Sequence, residues 1–375
     1  MPVNRREFVQ SIGAATGAAL AIPELLSRAQ AAPLLQHSPR TDPGAIQLDS
    51  NENPYGPSPA GCAAITASES IACRYPDLND HAMVARLAQF YQLPPGQILL
   101  GCGSTELLRC ADMAFLGSGR SVIAAEPTFE TVLGFAQVMQ ANPIKVPQTA
   151  DHRHDLPAMA AAVNSSTGLI YVCNPNNPTG TIVSQQEMKA FLQQVPATVP
   201  VLVDEAYFDF VTDPGYATVV PWIAQHPNLV VARTFSKVYG LAGMRLGYAL
   251  GSPGTIAAMR RYRLGMNANV GVLRAALASF ADAAHVADQR HKMIACRDWL
   301  CGELARDQRE FIPSHANFVM INLARDVEPV ISAFHQRNIL VGRKFPSMGQ
   351  WLRITIGKPS EMQAFLAGLR QIVPA

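Results

Sequence analysis

Charged side chains are scarce in this 375-residue chain, at 15%, against roughly 25% in an average globular protein. They nearly cancel: 30 basic against 28 acidic residues leave a formal net charge of +2. Such a balance offers no strong field for holding nucleic acid or an anionic membrane. Cysteine is also sparse. The seven cysteines (62, 73, 102, 110, 173, 296 and 301) show no C-x-x-C spacing. The absence of that spacing excludes zinc ribbons, zinc fingers and thioredoxin-like redox motifs, and the number is too small for a disulfide scaffold. His152 and His154 have no carboxylate or cysteine at matching spacing, so no metal site is expected. H-E-x-x-H, G-x-S-x-G and G-x-x-x-x-G-K-[ST] are all missing, which removes three common enzyme signatures. No apolar run reaches the length of a membrane span, so no stable membrane insertion is expected. Hydrophobic residues, by contrast, make up 49%. That is ample for a large buried core and incompatible with a disordered chain. At about 150 residues per domain, the length suggests two to three domains.

The first residues read as an address. Asn4-Arg5-Arg6-Glu7-Phe8-Val9 precedes a Gly/Ala-rich apolar run from Ser11 to Ile22, and Ala29-Gln30-Ala31 forms a small-x-small cleavage site. A charged start, a short apolar stretch and an A-x-A site make a signal peptide over residues 1–31. Paired arginines before x-Phe-Val resemble a twin-arginine signal, whose pathway exports folded proteins. A periplasmic or otherwise exported location follows as an expectation, a cytoplasmic one being the alternative.

Residues 32–60 are rich in Pro, Asn and Ser and read as an extended arm. Further on, short apolar runs alternate with amphipathic stretches. The runs Gln97–Leu100, Ser121–Ala125, Leu169–Cys173, Val199–Val203 and Asn228–Ala232 are continuous, as strands buried on both faces should be. Glu106–Phe115 has its apolar residues on one helical face. This alternation predicts an α/β fold with a mostly parallel sheet flanked by helices over residues 61–262. A long helical stretch, Gly254 to Arg309, leads to strands at Phe318–Leu323 and Leu352–Ile356, giving a smaller α/β domain over residues 263–375.

Ligands of open parallel sheets bind beyond the carboxyl ends of the strands. At those ends the sequence places Gly101-Cys102-Gly103-Ser104-Thr105-Glu106, Glu126-Pro127-Thr128-Phe129, Asn174 to Gly180, Asp204-Glu205-Ala206-Tyr207, and Arg233-Thr234-Phe235-Ser236-Lys237 with Arg245. Backbone N–H groups of Gly103, Ser104 and Thr105 at a helix start can take phosphate oxygens. A bland tight turn has the same look, and Glu106 breaks the dinucleotide fingerprint. Asp204 can keep a pyridine nitrogen protonated, or simply cap the next element. Lys237 can be a nucleophile if desolvated, although most lysines are merely solvated. Arg245 offers a fixed charge for phosphate. Phe129 can stack on a ring, or pack in the core as most phenylalanines do.

Taken in order, these segments resemble the fold-type I pyridoxal-phosphate aminotransferases, most of all the histidinol-phosphate aminotransferase group. Further matching text is Asp49-Ser50-Asn51-Glu52-Asn53-Pro54, Arg74-Tyr75-Pro76-Asp77, Leu241 to Gly247, Ala316-Asn317-Phe318 and Leu352-Arg353-Ile354-Thr355. The resemblance runs from about residue 45 to the C-terminus. It implies pyridoxal 5'-phosphate as cofactor, with Lys237 as the imine-forming lysine and proton shuttle and Asp204 on the pyridine nitrogen. It places Asn177 and Tyr207 on the ring hydroxyl oxygen, and Ser104, Thr105, Thr234, Ser236 and Arg245 on the phosphate. It gives Arg353 the substrate carboxylate and sets Asn51 and Asn317 near the substrate. Tyr75 would reach the cofactor of a second subunit, implying a homodimer. The implied reaction moves an amino group from a small-molecule donor to a 2-oxo acid by a ping-pong cycle. A decarboxylase of the same superfamily, and a non-catalytic binding protein on this scaffold, are the rival readings. Two positions depart from the family pattern. Arg343, the candidate for a distal substrate phosphate, is shifted in register by Gly342, and Phe129 stands where many members carry Tyr.

Overall fold

The apolar runs become neighbouring strands because each can bury both faces. The computed structural model describes residues 44–374; the expected signal peptide and the first part of the arm lie outside them. The elements run β1 (Ile46–Leu48), α1 (Pro59–Thr66), α2 (Asp77–Tyr91), β2 (Ile98–Gly101), α3 (Ser104–Phe115), β3 (Ser121–Glu126), α4 (Thr131–Val138), β4 (Asn142–Pro147), α5 (Leu156–Ala161), β5 (Thr167–Cys173), α6 (Gln185–Gln194), β6 (Val201–Asp204), β7 (Leu229–Thr234) and β8 (Gly247–Gly251). Then follow α7 (Pro253–Arg260), α8 (Val270–Ala281), α9 (Ala283–Arg306), β9 (Phe311–Ile312), β10 (Phe318–Asn322), α10 (Glu328–His335), β11 (Ile339–Val341), β12 (Trp351–Thr355) and α11 (Pro359–Ile372).

The large sheet has the order β2-β8-β7-β6-β5-β3-β4. All its pairings are parallel except those of β8, which is antiparallel to both β2 and β7. Side chains alternate between its faces. Val201, Val203 and Val231 join one buried cluster, with Met188 and Phe191 of α6 and Leu273 of α8. Leu202, Val230 and Ala232 join another, with Leu107 and Leu108 of α3, Val132 of α4 and Ile256 of α7. Helices therefore cover both faces. The second core gathers around the antiparallel sheet β12-β10-β9, closed by Leu300 of α9, Phe334 of α10 and Phe365 of α11.

Several elements differ from the sequence reading. Strand β4 went unrecognised because it carries Pro143, Lys145 and Pro147; it is the edge strand, where proline and lysine are tolerated. The stretch from Gly254 to Arg309 is three helices. Asp282 ends α8 and caps α9, its carboxylate accepting from His285 N, and the two helices meet at 85°. The sequence places residues 263–281 in the smaller domain; in the structure Ala268, Val272, Leu273, Ala276 and Phe280 belong to the core of the large sheet. The arm is also less extended than proline content suggested. Pro59 starts α1, and β1 pairs in parallel with β11 beside the second core. Among the described residues no single helix is long and apolar enough to cross a membrane.

Candidate active site

The carboxyl edge of the large sheet collects the polar groups that the apolar strands cannot hold. Asp204 ends β6 with 2% of its surface exposed. Its Oδ1 accepts from Ala206 N at 3.1 Å, and its Oδ2 accepts from the Tyr171 hydroxyl at 3.0 Å. Burial pushes the carboxyl up to about 6, with those hydrogen bonds and the charge of Lys237 opposing the rise. Beside it, the buried Tyr207 hydroxyl accepts from Asn51 Nδ2 at 3.0 Å. Desolvation raises that phenol, so it remains a neutral hydrogen-bonding group.

Lys237 lies in the turn that follows β7. Its Nζ donates to the main-chain oxygen of Asn51 at 3.0 Å and sits 5.4 Å from the centre of the Tyr207 ring. Burial, then the positive charge of Arg353, brings the ammonium down to about 8. A usable fraction is thus an unprotonated amine near neutral pH, as a nucleophile or base requires. Asn51 can serve as anchor because its backbone takes a left-handed turn, with φ of 54°. Its N–H donates to Thr355 Oγ1 of β12 at 2.9 Å, and that hydroxyl donates back to Asn51 Oδ1 at 3.0 Å. Asn317 Nδ2 donates to the same Asn51 carbonyl at 3.1 Å.

A cationic cradle forms where α3 begins. Gly103 has φ of 75°, and a side chain there would strike the guanidinium of Arg245. A side chain at Gly247 would strike the backbone of Gly103 and Ser104. The two loops therefore pack backbone to backbone, leaving the α3 N-terminus, with Ser104 and Thr105 in its first turn, beside Arg245. Arg245 Nη1 donates to Ser236 Oγ at 3.2 Å and to the Ala242 oxygen at 2.9 Å. Ser236 N donates to Thr234 Oγ1 at 3.0 Å. Helix N–H groups, the hydroxyls of Ser104, Thr105, Thr234 and Ser236, and an arginine make an anion site.

Arg353, on β12, reaches across from the smaller sheet. Its Nη1 donates to Asn177 Oδ1 at 2.8 Å and its Nη2 to the Asp49 carbonyl at 2.7 Å. Burial draws the guanidinium down to about 10, and Arg343 adds to that shift. Arg343 itself is half exposed and ion-paired with Glu130, the residue that precedes α4. Its guanidinium carbon lies 4.3 Å from the centre of the Phe345 ring, and that of Arg353 lies 5.3 Å from the same centre.

Two expected residues stand apart. Phe129 packs against the apolar cluster under α3 and α4. Tyr75 is 79% exposed and joins none of these contacts. Three contributors went unnoticed in the sequence. Tyr171 is hidden in an apolar strand, although its place on β5 beside β6 could have revealed it. Thr355 lies two residues after Arg353, on the same face of β12. Glu130 is one of many acidic residues in loops and gave no signal.

Comparison with known proteins accords with this geometry. The model of the family "Aminotransferase class I and II" matches residues 43–369. A histidinol-phosphate aminotransferase of Moorella thermoacetica is 38% identical over 88% of this chain and 85% of its own length. An aromatic amino acid aminotransferase of Rhodococcus jostii is 40% identical over 87% of this chain and 89% of its own. The crystal structure of histidinol-phosphate aminotransferase from Sinorhizobium meliloti in complex with pyridoxal-5'-phosphate superposes with a TM-score of 0.82 at 27% identity, covering 88% of this chain and 90% of that one. The chain belongs to the class I and II aminotransferase family. It is a transaminase on the type I fold, similar in sequence to histidinol-phosphate aminotransferases.

Proposed function

We propose that this transaminase uses pyridoxal 5'-phosphate to move an amino group from an amino acid or histidinol phosphate to a 2-oxo acid, in ping-pong fashion. The observation that carries the reading is a single cluster: Lys237 with its amine brought down to about 8, a buried Asp204, and Arg353 whose charge acts on Lys237. The residues suit the cofactor. Arg353 Nε and Asn317 Oδ1 are buried polar atoms without partners among the described residues, which a bound group would satisfy. Gly103 leaves no room for a side chain beside Arg245, so backbone can approach a phosphate.

When bound, the cofactor supplies an electron sink in its protonated ring. Asp204 would hold the proton on the ring nitrogen, with Tyr171 fixing that carboxylate. Asn177 and Tyr207 would hydrogen-bond the ring oxygen. Ser104, Thr105, Thr234, Ser236 and Arg245 would hold the phosphate. Lys237 Nζ takes the proton from the substrate α-carbon and returns it elsewhere, acting as base and then acid. Arg353 orients a substrate carboxylate, with Asn51 and Asn317 shaping that end of the site.

A homodimer is part of the reading. Tyr75, Leu78, Leu264 and Met266 are strongly exposed, and the Asp80–Arg263 pair at 2.7 Å ties their two segments together. An exposed apolar set of this kind suits association with a second copy, to whose cofactor Tyr75 would extend. Export by the twin-arginine route rests on Arg5-Arg6 and the Ala29-Gln30-Ala31 site. Purified protein mixed with pyridoxal 5'-phosphate, reduced with borohydride and digested should carry the label on Lys237. No label there, or no transamination across a panel of amino acids and histidinol phosphate, would reject the assignment.

A further inference from the structure

Three side chains from distant parts of the sequence form a chain of hydrogen bonds whose direction can be read atom by atom. Thr355 ends β12, on the strand face that carries Arg353. Its hydroxyl accepts from Asn51 N at 2.9 Å and donates to Asn51 Oδ1 at 3.0 Å. Asn51 Nδ2 in turn donates to the Tyr207 hydroxyl oxygen at 3.0 Å. All three residues are buried. The Tyr207 ring is held edge-on by Phe318, with ring centres 5.1 Å apart, and Phe318 is the β10 partner of Thr355.

The direction follows from counting hydrogens. A hydroxyl has one hydrogen to give and lone pairs to receive. The Asn51 main-chain N–H can only donate, so Thr355 Oγ1 must accept there. Among the described residues Thr355 Oγ1 has no hydrogen-bond partner outside Asn51. Its own buried hydrogen therefore goes to Asn51 Oδ1, because a buried donor without an acceptor is costly. A turned-over Asn51 amide would face Thr355 with Nδ2 and leave that hydrogen without an acceptor. It would also face Tyr207 with Oδ1 and draw the phenol hydrogen toward Asn51. The orientation seen does the reverse: it delivers a donor to the phenol oxygen and leaves the phenol hydrogen for a ligand. Among the described residues the Tyr207 hydroxyl has no hydrogen-bond partner besides Asn51.

We propose that Thr355 is a positioning residue, which fixes the Asn51 amide so that Tyr207 gives its hydrogen to the ring oxygen of the cofactor and not to Asn51. The inference rests on the proposed use of pyridoxal 5'-phosphate and adds a residue that acts through two others. Donation to the ring oxygen stabilises its anionic form, so the bound cofactor loses its proton at lower pH. A residue of the smaller sheet thereby sets the protonation of a group seated on the large one. Neither Asn51 nor Tyr207 can do this alone, because the amide and the phenol can each be satisfied in either direction. The threonine hydroxyl breaks that symmetry, since its partner on the main chain has only one role.

The test follows the absorbance of bound pyridoxal 5'-phosphate against pH in the wild-type holoenzyme, Thr355→Val, Thr355→Ser, Tyr207→Phe and the double variant of Thr355→Val with Tyr207→Phe. Thr355→Val keeps the branched shape and removes the hydroxyl. Its absorbance midpoint should rise by about one pH unit, a tenfold gain in proton affinity. Thr355→Ser restores the hydroxyl and should stay near wild type. Tyr207→Phe should rise at least as far, and adding Thr355→Val to it should change nothing more. The double variant is needed because the Asn51 carbonyl also holds Lys237. Arg353, Glu52, Arg245 and Asp204, whose charges act on Lys237, are the same in every variant. An unchanged midpoint in folded, cofactor-bound Thr355→Val would overturn the role of Thr355 and leave the cofactor reading intact. So would shifts that add in the double variant, or a rise in Thr355→Ser equal to that in Thr355→Val. If Thr355→Val does not fold, Thr355→Ala replaces it; misfolding of both beside a folded Thr355→Ser would reduce the hydroxyl to a structural contact and overturn the proposal. A wild-type protein that forms no reducible linkage to pyridoxal 5'-phosphate at Lys237 would overturn both readings.

Discussion

Lys237 Nζ donates to the main-chain oxygen of Asn51 at 3.0 Å, across a sequence separation of 186 residues. The same carbonyl receives Asn317 Nδ2 at 3.1 Å. One oxygen thus gathers the lysine of the large sheet and an asparagine of the smaller one. This explains why the amine can be half-buried without a carboxylate partner: a neutral acceptor orients it, and its charge is left poorly compensated.

Substitution of that lysine follows first. Lys237→Ala should lower kcat by at least ~10³-fold, since general base catalysis and covalent attachment are both lost. Circular dichroism should be unaltered. An activity loss below tenfold would remove the lysine from its assigned role.

The proton affinity of the amine gives a separate test. In the apoprotein, borohydride-trapped labelling of Lys237 by pyridoxal 5'-phosphate should rise with pH to a midpoint near about 8, below the ordinary lysine value. The folded state binds this proton less well than the unfolded chain. Its contribution to stability is therefore unfavourable at low pH and is relieved as pH rises through about 8 toward the unfolded value. A labelling midpoint close to that of an exposed lysine would contradict the desolvated environment.

Arg353 should act on substrate affinity. Arg353→Lys keeps a charge but loses the planar fork. It should raise KM for amino acids by about tenfold, and Arg353→Gln by about 100-fold, in line with charge-assisted hydrogen bonds of about 1.5–3 kcal/mol. Steady-state kinetics across an amino-acid panel would reveal this. Equal KM values in wild type and Arg353→Gln would separate the arginine from carboxylate binding.

Gly103→Ala should weaken the anion cradle, because the new methyl meets the Arg245 guanidinium and the backbone there has φ of 75°. The dissociation constant for pyridoxal 5'-phosphate should rise by about tenfold or more. Titration of the apoprotein by absorbance measures it directly.

Asp112 offers a prediction outside the site. It is fully buried on α3, and neither of its carboxylate oxygens has a hydrogen-bond partner among the described residues. Burial alone pushes its carboxyl up to about 8. The folded state therefore holds this proton more tightly than the unfolded chain, and stability declines as pH rises from about 4 to about 8. Asp112→Asn should raise the urea midpoint at pH 8 more than at pH 5. A midpoint gain independent of pH would show that Asp112 does not titrate there.

Much of this is legible in the sequence. Continuous runs such as Leu169–Cys173 and Leu229–Ala232 declare strands buried on both faces, because a strand is the element that most easily buries four or five consecutive apolar residues. Chain order then put Asp204 and Lys237 at the ends of adjacent strands. The illegible parts have a common cause: they depend on pairing between distant segments. Strand β8 is antiparallel within an otherwise parallel sheet, and nothing in Gly247–Gly251 announces its direction. Tyr171 appears as one more buried ring until β5 is laid beside β6. The Glu130–Arg343 pair joins loops 213 residues apart, and neither side chain signals the other.

The pairing of β1 with β11, and of Asn51 with Thr355, has a consequence for biogenesis. The residues of the lysine turn and the anion cradle have all been synthesised by Gly247, yet Arg353 and Thr355 emerge from the ribosome more than a hundred residues later. The early half of the binding surface must wait for the last strand of the smaller sheet before Asn51 is locked. Completion of the site therefore falls at the very end of synthesis, when the last strand of the smaller sheet becomes available.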